Sequence, residues 1–320
     1  MKIAVCIPTY NREKTIVKAI NSVINQREQD IDIIVFDNKS TDDTVNVVSK
    51  QFGDKIQLYV NDTNLGYVGN INKCLSLSEK YDWIAILHSD DFHTNDSFKY
   101  FKPYLVKYQD AGIIYSKLHT IDENDITYRL IKEEKEELFF SKGYEALLSF
   151  HERQVPCSGT IYNSKAIKEV GVYSDEFPYS ADEEYGSRIA SKYDIVQIPK
   201  IVGYYRIHPD NLQIQTWLKK DFFNNFFLMR EKMLKSAQID SVIVDKIVKK
   251  SKASIAHSIS VRLAQEGYWK EALEYNLKSL MVSPFTYFSG KILIKSAYVF
   301  ISILLTPKIN KAIHTWWSRK

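Results

Sequence analysis

Two adjacent carboxylates, Asp90 and Asp91, follow a short apolar run that starts at Trp83. Side by side after a buried strand they are costly to desolvate unless their charge is compensated, and a hard divalent cation with a substrate diphosphate is one such compensation. Oxygen ligands of this kind suit Mg²⁺ or Mn²⁺. The competing reading is a solvated turn that caps a helix near Asp96 to Val106. Asp37, which ends the apolar run from Ile31, carries a similar pair of readings: a turn residue, or an acceptor of hydrogen bonds from a base or ribose.

These residues need a scaffold, and the first ninety positions supply one. Lys2 to Thr9 is rich in β-formers and is closed by Pro8 and the polar cluster Thr9, Tyr10, Asn11 and Arg12. Ile16, Ala19, Ile20, Val23 and Ile24 then recur at helical spacing, and Ile31 to Phe36 is a second strand. Ser40-Thr-Asp-Asp43 precedes a second helix, Ile56 to Val60 is a third strand, Asn64-Leu-Gly66 a turn, Val68 to Leu77 a third helix and Trp83 to Leu87 a fourth strand. Apolar strands alternating with amphipathic helices predict a parallel sheet covered on both faces. Ligands of such sheets sit at the carboxyl ends of the strands, where all of these polar clusters fall.

Composition narrows the function classes. With 320 residues, 45% apolar and 26% charged, the chain has material for a large core and is neither disordered nor low in complexity. No G-x-G-x-x-G follows the first strand and no G-x-x-x-x-G-K-[ST] occurs, which disfavours dinucleotide oxidoreductases and P-loop NTPases. Six cations and no carboxylate lie between Phe285 and Lys320, so the net charge of +4 belongs to the tail and the body is near neutral. That distribution argues against a nucleic-acid partner. Cys6, Cys74 and Cys157 are too few and scattered for a disulfide framework, and no cleavable leader is evident; a cytoplasmic location is expected.

Ile7-Pro-Thr-Tyr-Asn11, Asp37-Asn-Lys-Ser-Thr-Asp42, Asn64-Leu-Gly66 and Ser89-Asp-Asp91, in this order, resemble the family 2 glycosyltransferases with the GT-A fold. The resemblance implies an α/β, Rossmann-like nucleotide-diphospho-sugar transferase domain over residues 1–212. It implies that Pro8, Thr9, Tyr10, Asn11, Asp37, Asn64, Gly66 and Asp90 engage the nucleotide sugar. Asp90 and Asp91 would form a variant D-x-D element that binds Mn²⁺ or Mg²⁺, with His88 standing where many members have another Asp. Asp182-Glu-Glu184, with Arg188-Ile-Ala190 after it, resembles the family's base segment. Counting back from Arg188 implies Asp182 as the general base, with Glu183 as the second candidate. The same carboxylates also suit the first turn of a helix, where they favour the macrodipole. Tyr204-Tyr-Arg-Ile-His208 resembles a later segment whose Arg or His approaches diphosphate or metal, which implies Arg206 at the nucleotide sugar and His208 at the metal. Ser158-Gly159, with Gly171 to Tyr173, matches the part that shapes the acceptor side.

The activity implied is inverting transfer of one sugar from a nucleotide-diphosphate sugar, first of all a UDP-sugar, to a glycan or lipid-linked saccharide. A non-catalytic nucleotide-sugar-binding or scaffold module is the alternative, and a positioned base at Asp182 favours the enzyme. Gln213-Ile-Gln-Thr-Trp217 has Thr216 where processive synthases carry Arg, and no run reaches about 18 consecutive apolar residues. Residues 213–320 are expected to be helical, at Phe222 to Met233, Ile239 to Val248 and in a hairpin of tetratricopeptide type from Ala256 to Met281. Beyond it, cations interleaved with aromatic residues, ending near Trp316 and Trp317, suit either a peripheral membrane helix over 285–320 or a terminal helix packed on the body.

Overall fold

The computed structural model describes residues 1–26, 30–153, 155–208 and 212–282. The chain forms two units, divided between Ile207 and His208.

The first unit opens with β1 (Ile3–Thr9), α1 (Ile16–Ile24), β2 (Ile31–Asp37), α2 (Thr44–Phe52), β3 (Gln57–Val60), α3 (Gly66–Leu75) and β4 (Trp83–Ile86). These strands lie side by side in the order β3-β2-β1-β4, all parallel, with Thr9 level with Asp37 in the register of β1 and β2. Ile3, Val5 and Ile7 of β1 and Ile16, Ala19 and Ile20 of α1 share one buried core, which explains the apolar spacing of both segments. Since the four strands run parallel, with β1, β2 and β3 ending level, their polar carboxyl ends converge on one edge.

The rest of the unit comprises β5 (Phe92–His93), α4 (Ser97–Lys107), β6 (Ile113–Tyr115), β7 (His119–Ile121), β8 (Thr127–Arg129), β9 (Leu138–Phe140) and α5 (Tyr144–Arg153). It continues with β10 (Thr160–Asn163), α6 (Ser164–Val170), α7 (Ala181–Lys192), β11 (Ile195–Gln197) and β12 (Gly203–Arg206). The large sheet runs β3-β2-β1-β4-β10-β6-β11-β9. The parallel sheet expected from the first four strands is present, and beyond them the sheet becomes mixed: β10 is antiparallel to β4 and β6, and β9 is antiparallel to β11. β10 is only four residues long, and hydrophobic patterning fixes which residues are buried but not the direction of a short strand. A second sheet, β5-β12-β7-β8, carries Phe92 and Arg206.

The second unit contains α8 (Leu212–Trp217), α9 (Phe222–Ser236), α10 (Ser241–Gln265) and α11 (Trp269–Val282). Asp240 caps α10 by accepting hydrogen bonds from the Val242 and Ile243 amides. Gly267, at φ +87°, makes the turn into α11. The expected hairpin is therefore the second half of α10 with α11, and α10 extends well beyond the segment expected at Ile239 to Val248. Among the described residues no helix is long and apolar enough to cross a membrane. The membrane-tail expectation for 285–320 lies outside the described residues.

Candidate active site

The strand ends are locked together by side chains. Asp37 is fully buried; its two carboxylate oxygens accept from the Ser40 amide at 2.8 Å and the Ser40 hydroxyl at 2.5 Å. Asn11, in the left-handed region at φ +51°, donates its amide to Ser40 Oγ and accepts from the Thr41 amide. The Arg12 amide donates to Thr44 Oγ1. The loop from Thr9 to Arg12 thus rests on the loop after Asp37. Tyr10 projects outward, 41% exposed, whereas Thr9 Oγ1 is buried without a hydrogen-bond partner.

Asn38 extends this frame. Its Nδ2 donates to Asn64 Oδ1 at 2.8 Å and to the Gly66 carbonyl at 3.1 Å, while its Oδ1 accepts from the Leu65 amide at 2.8 Å and Asn61 Nδ2 at 3.1 Å. Asn61 also donates to Asn70 Oδ1, and Asn70 donates to the Phe36 carbonyl. Gly66, at φ +71°, allows the turn by which Asn64 receives the Gly66 amide. The Asn64-Leu-Gly66 motif is thereby tied to Asp37 through the intervening residue Asn38.

Beyond β4, potential ligand atoms of His88, Asp90 and Asp91 all lie within 4.8 Å of one another. Asp91 is 2% exposed; Oδ2 accepts from Ser158 Oγ at 2.5 Å and Oδ1 from the Arg206 amide at 2.8 Å. Burial, and then the charge of Asp90, push its carboxyl well above the usual range despite those bonds. Burial lowers the pKa of His88, which favours the neutral imidazole, and its Nε2 has no hydrogen-bond partner. Two crowded carboxylates beside a neutral imidazole fit a divalent cation, whose charge would relieve the repulsion. Arg12 Nε stands 3.8 Å from Asp90 Oδ2. The imidazole of this cluster is His88; His208 is the first residue of the second unit.

Asp182, Glu183 and Glu184 occupy the first turn of α7 and meet different fates. Glu184 is buried and forms a two-pronged pair with Arg188, which also holds the Val170 and Val172 carbonyls. Glu183 Oε1 lies 2.7 Å from His151 Nδ1. Asp182 accepts the Glu183 amide at 2.9 Å. Asp182 is exposed to solvent although surrounded by protein atoms, and the desolvation by those neighbours, then the charge of Glu183, raise its pKa. The seat of α7 is tight: a Cβ on Gly186 would lie 2.0 Å from Phe150 Cζ.

Cys157 links the two halves. Burial above all, then the nearby charge of Asp182 and more weakly that of Asp91, push its thiol up. Tyr67, Tyr162 and Tyr173 share this neighbourhood, their phenols raised first by burial. Tyr67 sits beside the Cys157 thiol and presents a T-shaped contact to His88, 6.0 Å between ring centroids.

Residues 4–171 match the Glycosyl transferase family 2 profile. The chain belongs to this family. An uncharacterized glycosyltransferase of Mycoplasma genitalium is 35% identical over 36% of this chain, a match that spans 41% of the relative's length. The Escherichia coli UDP-Glc:alpha-D-GlcNAc-diphosphoundecaprenol beta-1,3-glucosyltransferase WfaP is 26% identical over 64% of this chain and 77% of its own. Among solved structures, Staphylococcus aureus TarS 1–349 in complex with UDP-GlcNAc superposes with a TM-score of 0.63 at 18% identity, covering 95% of this chain and 91% of that one. At that identity the likeness establishes a shared fold, the GT-A arrangement of a large sheet with added C-terminal helices.

Several residues of this candidate site were not evident as site residues from sequence. His88 interrupts the usual acidic pattern. Asn38, Asn61 and Asn70 carry no motif of their own; the signal available was position, since Asn38 and Asn61 each directly follow a strand and Asn70 lies one turn into α3. Tyr67 carries no motif, and Cys157 enters the sequence reading only in the cysteine count.

Proposed function

We propose that this family 2 chain is an inverting, metal-dependent glycosyltransferase that moves one sugar from a nucleotide-diphosphate sugar to a hydroxyl of a glycan or lipid-linked acceptor. The observation that carries the reading is the His88, Asp90 and Asp91 cluster, its ligand atoms all within 4.8 Å of one another, set after β4 at the same carboxyl edge of the parallel strands at which β2 ends in the buried Asp37. Asp37, held rigid by Ser40, and the loop from Pro8 to Asn11, with Thr9 and Tyr10, receive the nucleotide, beside the turn of Asn64 and Gly66. His88, Asp90 and Asp91 hold Mn²⁺ or Mg²⁺, and the imidazole in the set favours Mn²⁺ over the all-oxygen preference of Mg²⁺. When bound, the cation stabilises negative charge on the departing diphosphate.

Asp182 accepts the proton of the acceptor hydroxyl. As that oxygen bonds to the anomeric carbon, the bond from the same carbon to the diphosphate oxygen breaks and the electron pair leaves with the nucleotide diphosphate. A raised pKa brings the base nearer to the working pH, which strengthens proton transfer. Glu183, engaged with His151, is less free to serve. A UDP-sugar donor is supported by the UDP-GlcNAc complex of TarS and the UDP-Glc named for WfaP, and a lipid-linked acceptor by the diphosphoundecaprenol in the name of WfaP. The test is a screen of UDP-, GDP- and dTDP-sugars for Mn²⁺-dependent hydrolysis, followed by NMR of the transferred product. Product with the donor's anomeric configuration retained would refute inversion.

A further inference from the structure

Arg206 is buried at the junction of the Asp90–Asp91 loop and the β7–β8 hairpin. Its amide donates to Asp91 Oδ1 at 2.8 Å and its Nε to the Asp90 carbonyl at 2.9 Å. On the hairpin side, Nη1 donates to the Asp122 and Glu123 carbonyls and Nη2 to Asp125 Oδ1 at 2.5 Å. Asp125 is held for this contact. Asp122 Oδ1 accepts from the Asn124 and Ile126 amides, and that turn places Asp125 in the left-handed region at φ +63°. The second oxygen of Asp125 meets Lys18 Nζ at 2.5 Å, and the Lys18 ammonium also sits 3.8 Å from the Phe92 ring centroid.

We infer that Asp125 is a positioning residue for the cation cluster: acting through Arg206, it fixes the backbone of Asp90 and the carboxylate of Asp91 in the geometry that receives the metal and diphosphate. The inference rests on the metal reading given above. A guanidinium beside a cation site is useful only while it is held away from the ligand carboxylates. Asp125 draws its outer edge toward the hairpin, so that Nε meets the Asp90 carbonyl and the hydrogen bond to Asp91 comes from the backbone amide, while the guanidinium charge, near but not bonded to that carboxylate, favours its ionised form. With Asp125 neutralised, the pull on Nη2 weakens and the nearby carboxylates of Asp90 and Asp91 compete for the guanidinium, which opposes a divalent cation there.

The test measures Mn²⁺ affinity of the full chain by electron paramagnetic resonance, in the presence of whichever of UDP, GDP or dTDP binds the parent protein best. Asp125→Asn is expected to weaken Mn²⁺ binding by roughly 10- to 100-fold, the usual range for partners of metal ligands, while nucleotide affinity in EDTA changes less than about two-fold. Asp125→Glu should recover part of the loss. Lys18→Met, which removes the other partner of Asp125, should keep Mn²⁺ affinity within about two-fold, because Arg206 stays engaged. Parent-like Mn²⁺ binding by Asp125→Asn overturns the inference, and so does an equal loss in EDTA, which marks a general folding defect. Absence of any Mn²⁺ binding by the parent protein would instead refute the metal reading itself, and this inference with it.

Discussion

Ser158 Oγ lies 2.5 Å from Asp91 Oδ2 and at the same time accepts the His88 amide at 3.0 Å. One hydroxyl on the turn before β10 therefore orients two members of the candidate cation cluster, although it lies about seventy residues away in sequence. The turn cannot relax: a Cβ on Gly159 would stand 2.5 Å from the Ser116 carbonyl. Ser158→Ala should reduce Mn²⁺-dependent nucleotide affinity by about 10-fold or more, as loss of such supporting hydrogen bonds commonly does. Calorimetric titration with and without Mn²⁺ checks it, and an unchanged metal dependence would count against Asp91 as a ligand.

The Asn38 side chain anchors the strand edge beside Asp37 by four hydrogen bonds, to Asn61, Asn64, Leu65 and Gly66. Replacement by Ala removes these four bonds of a buried side chain, but Asn64, Leu65 and Gly66 are exposed to water and Asn61 keeps Asn70, so the expected loss is about 1–2 kcal/mol in stability. Asn38→Asp is the sharper probe: the side chain keeps its size but turns two donors into acceptors facing the Asn64 and Gly66 oxygens. It should raise KM for the donor more than it lowers kcat. Denaturant unfolding and steady-state kinetics together check both statements.

Gly186 and Phe150 test how firmly α7 must be seated. Gly186→Ala drives a methyl into the Phe150 ring, an overpacking expected to cost about 1–3 kcal/mol. It should also displace the first turn, where Asp182 sits, and so reduce turnover. Phe150→Leu in the same chain makes room and should restore part of both. A double variant no better than Gly186→Ala would show that the ring is not what holds the helix in place.

How much of this was legible in sequence depends on the range of the interactions. From β1 to β4 the strands and helices follow from local apolar periodicity, and the polar clusters at their ends were readable as a site edge because Thr9 and Asp37 end adjacent strands. The small sheet of β5, β7, β8 and β12 was not readable: strands of two to four residues leave no period to detect. Asp125 and Asn38 escaped for a different reason. Their roles consist of contacts with Arg206, 81 residues away, and Asn64, 26 away, and nothing in their own neighbourhoods records those partners. Asp182 came from the family resemblance, by counting back from Arg188, and the structure puts both residues on α7.

The tail offers a prediction from composition alone. Its six cations without a carboxylate, beside Trp316 and Trp317, should add about 1 kcal/mol of attraction per cation near an anionic bilayer. Flotation with anionic liposomes should retain the full chain better than one ending near Ser283. Equal retention by both, with circular dichroism showing the shorter chain folded, would remove the tail from membrane attachment.

Asp182 joins activity to stability with opposite signs. As the base it must be ionised, so turnover should fall as the pH drops through its raised pKa, and Asp182→Asn should lose roughly 10² to 10⁴ in kcat while nucleotide affinity persists. Its folded pKa lies above the ordinary value of 3.8, so the folded state binds more protons than the unfolded one between those two values. The ionised carboxyl therefore lowers stability above its folded pKa and has no such effect below 3.8. The inactive Asn variant should melt at a higher temperature than the parent protein at pH 7, and the gap should close on acidification toward 3.8. Glu183→Gln breaks a contact with His151 and should do the reverse, lowering the melting temperature while keeping most of the turnover. A dead Glu183→Gln beside an active Asp182→Asn would move the base by one residue, and normal turnover in both would rule out this segment as the source of the base.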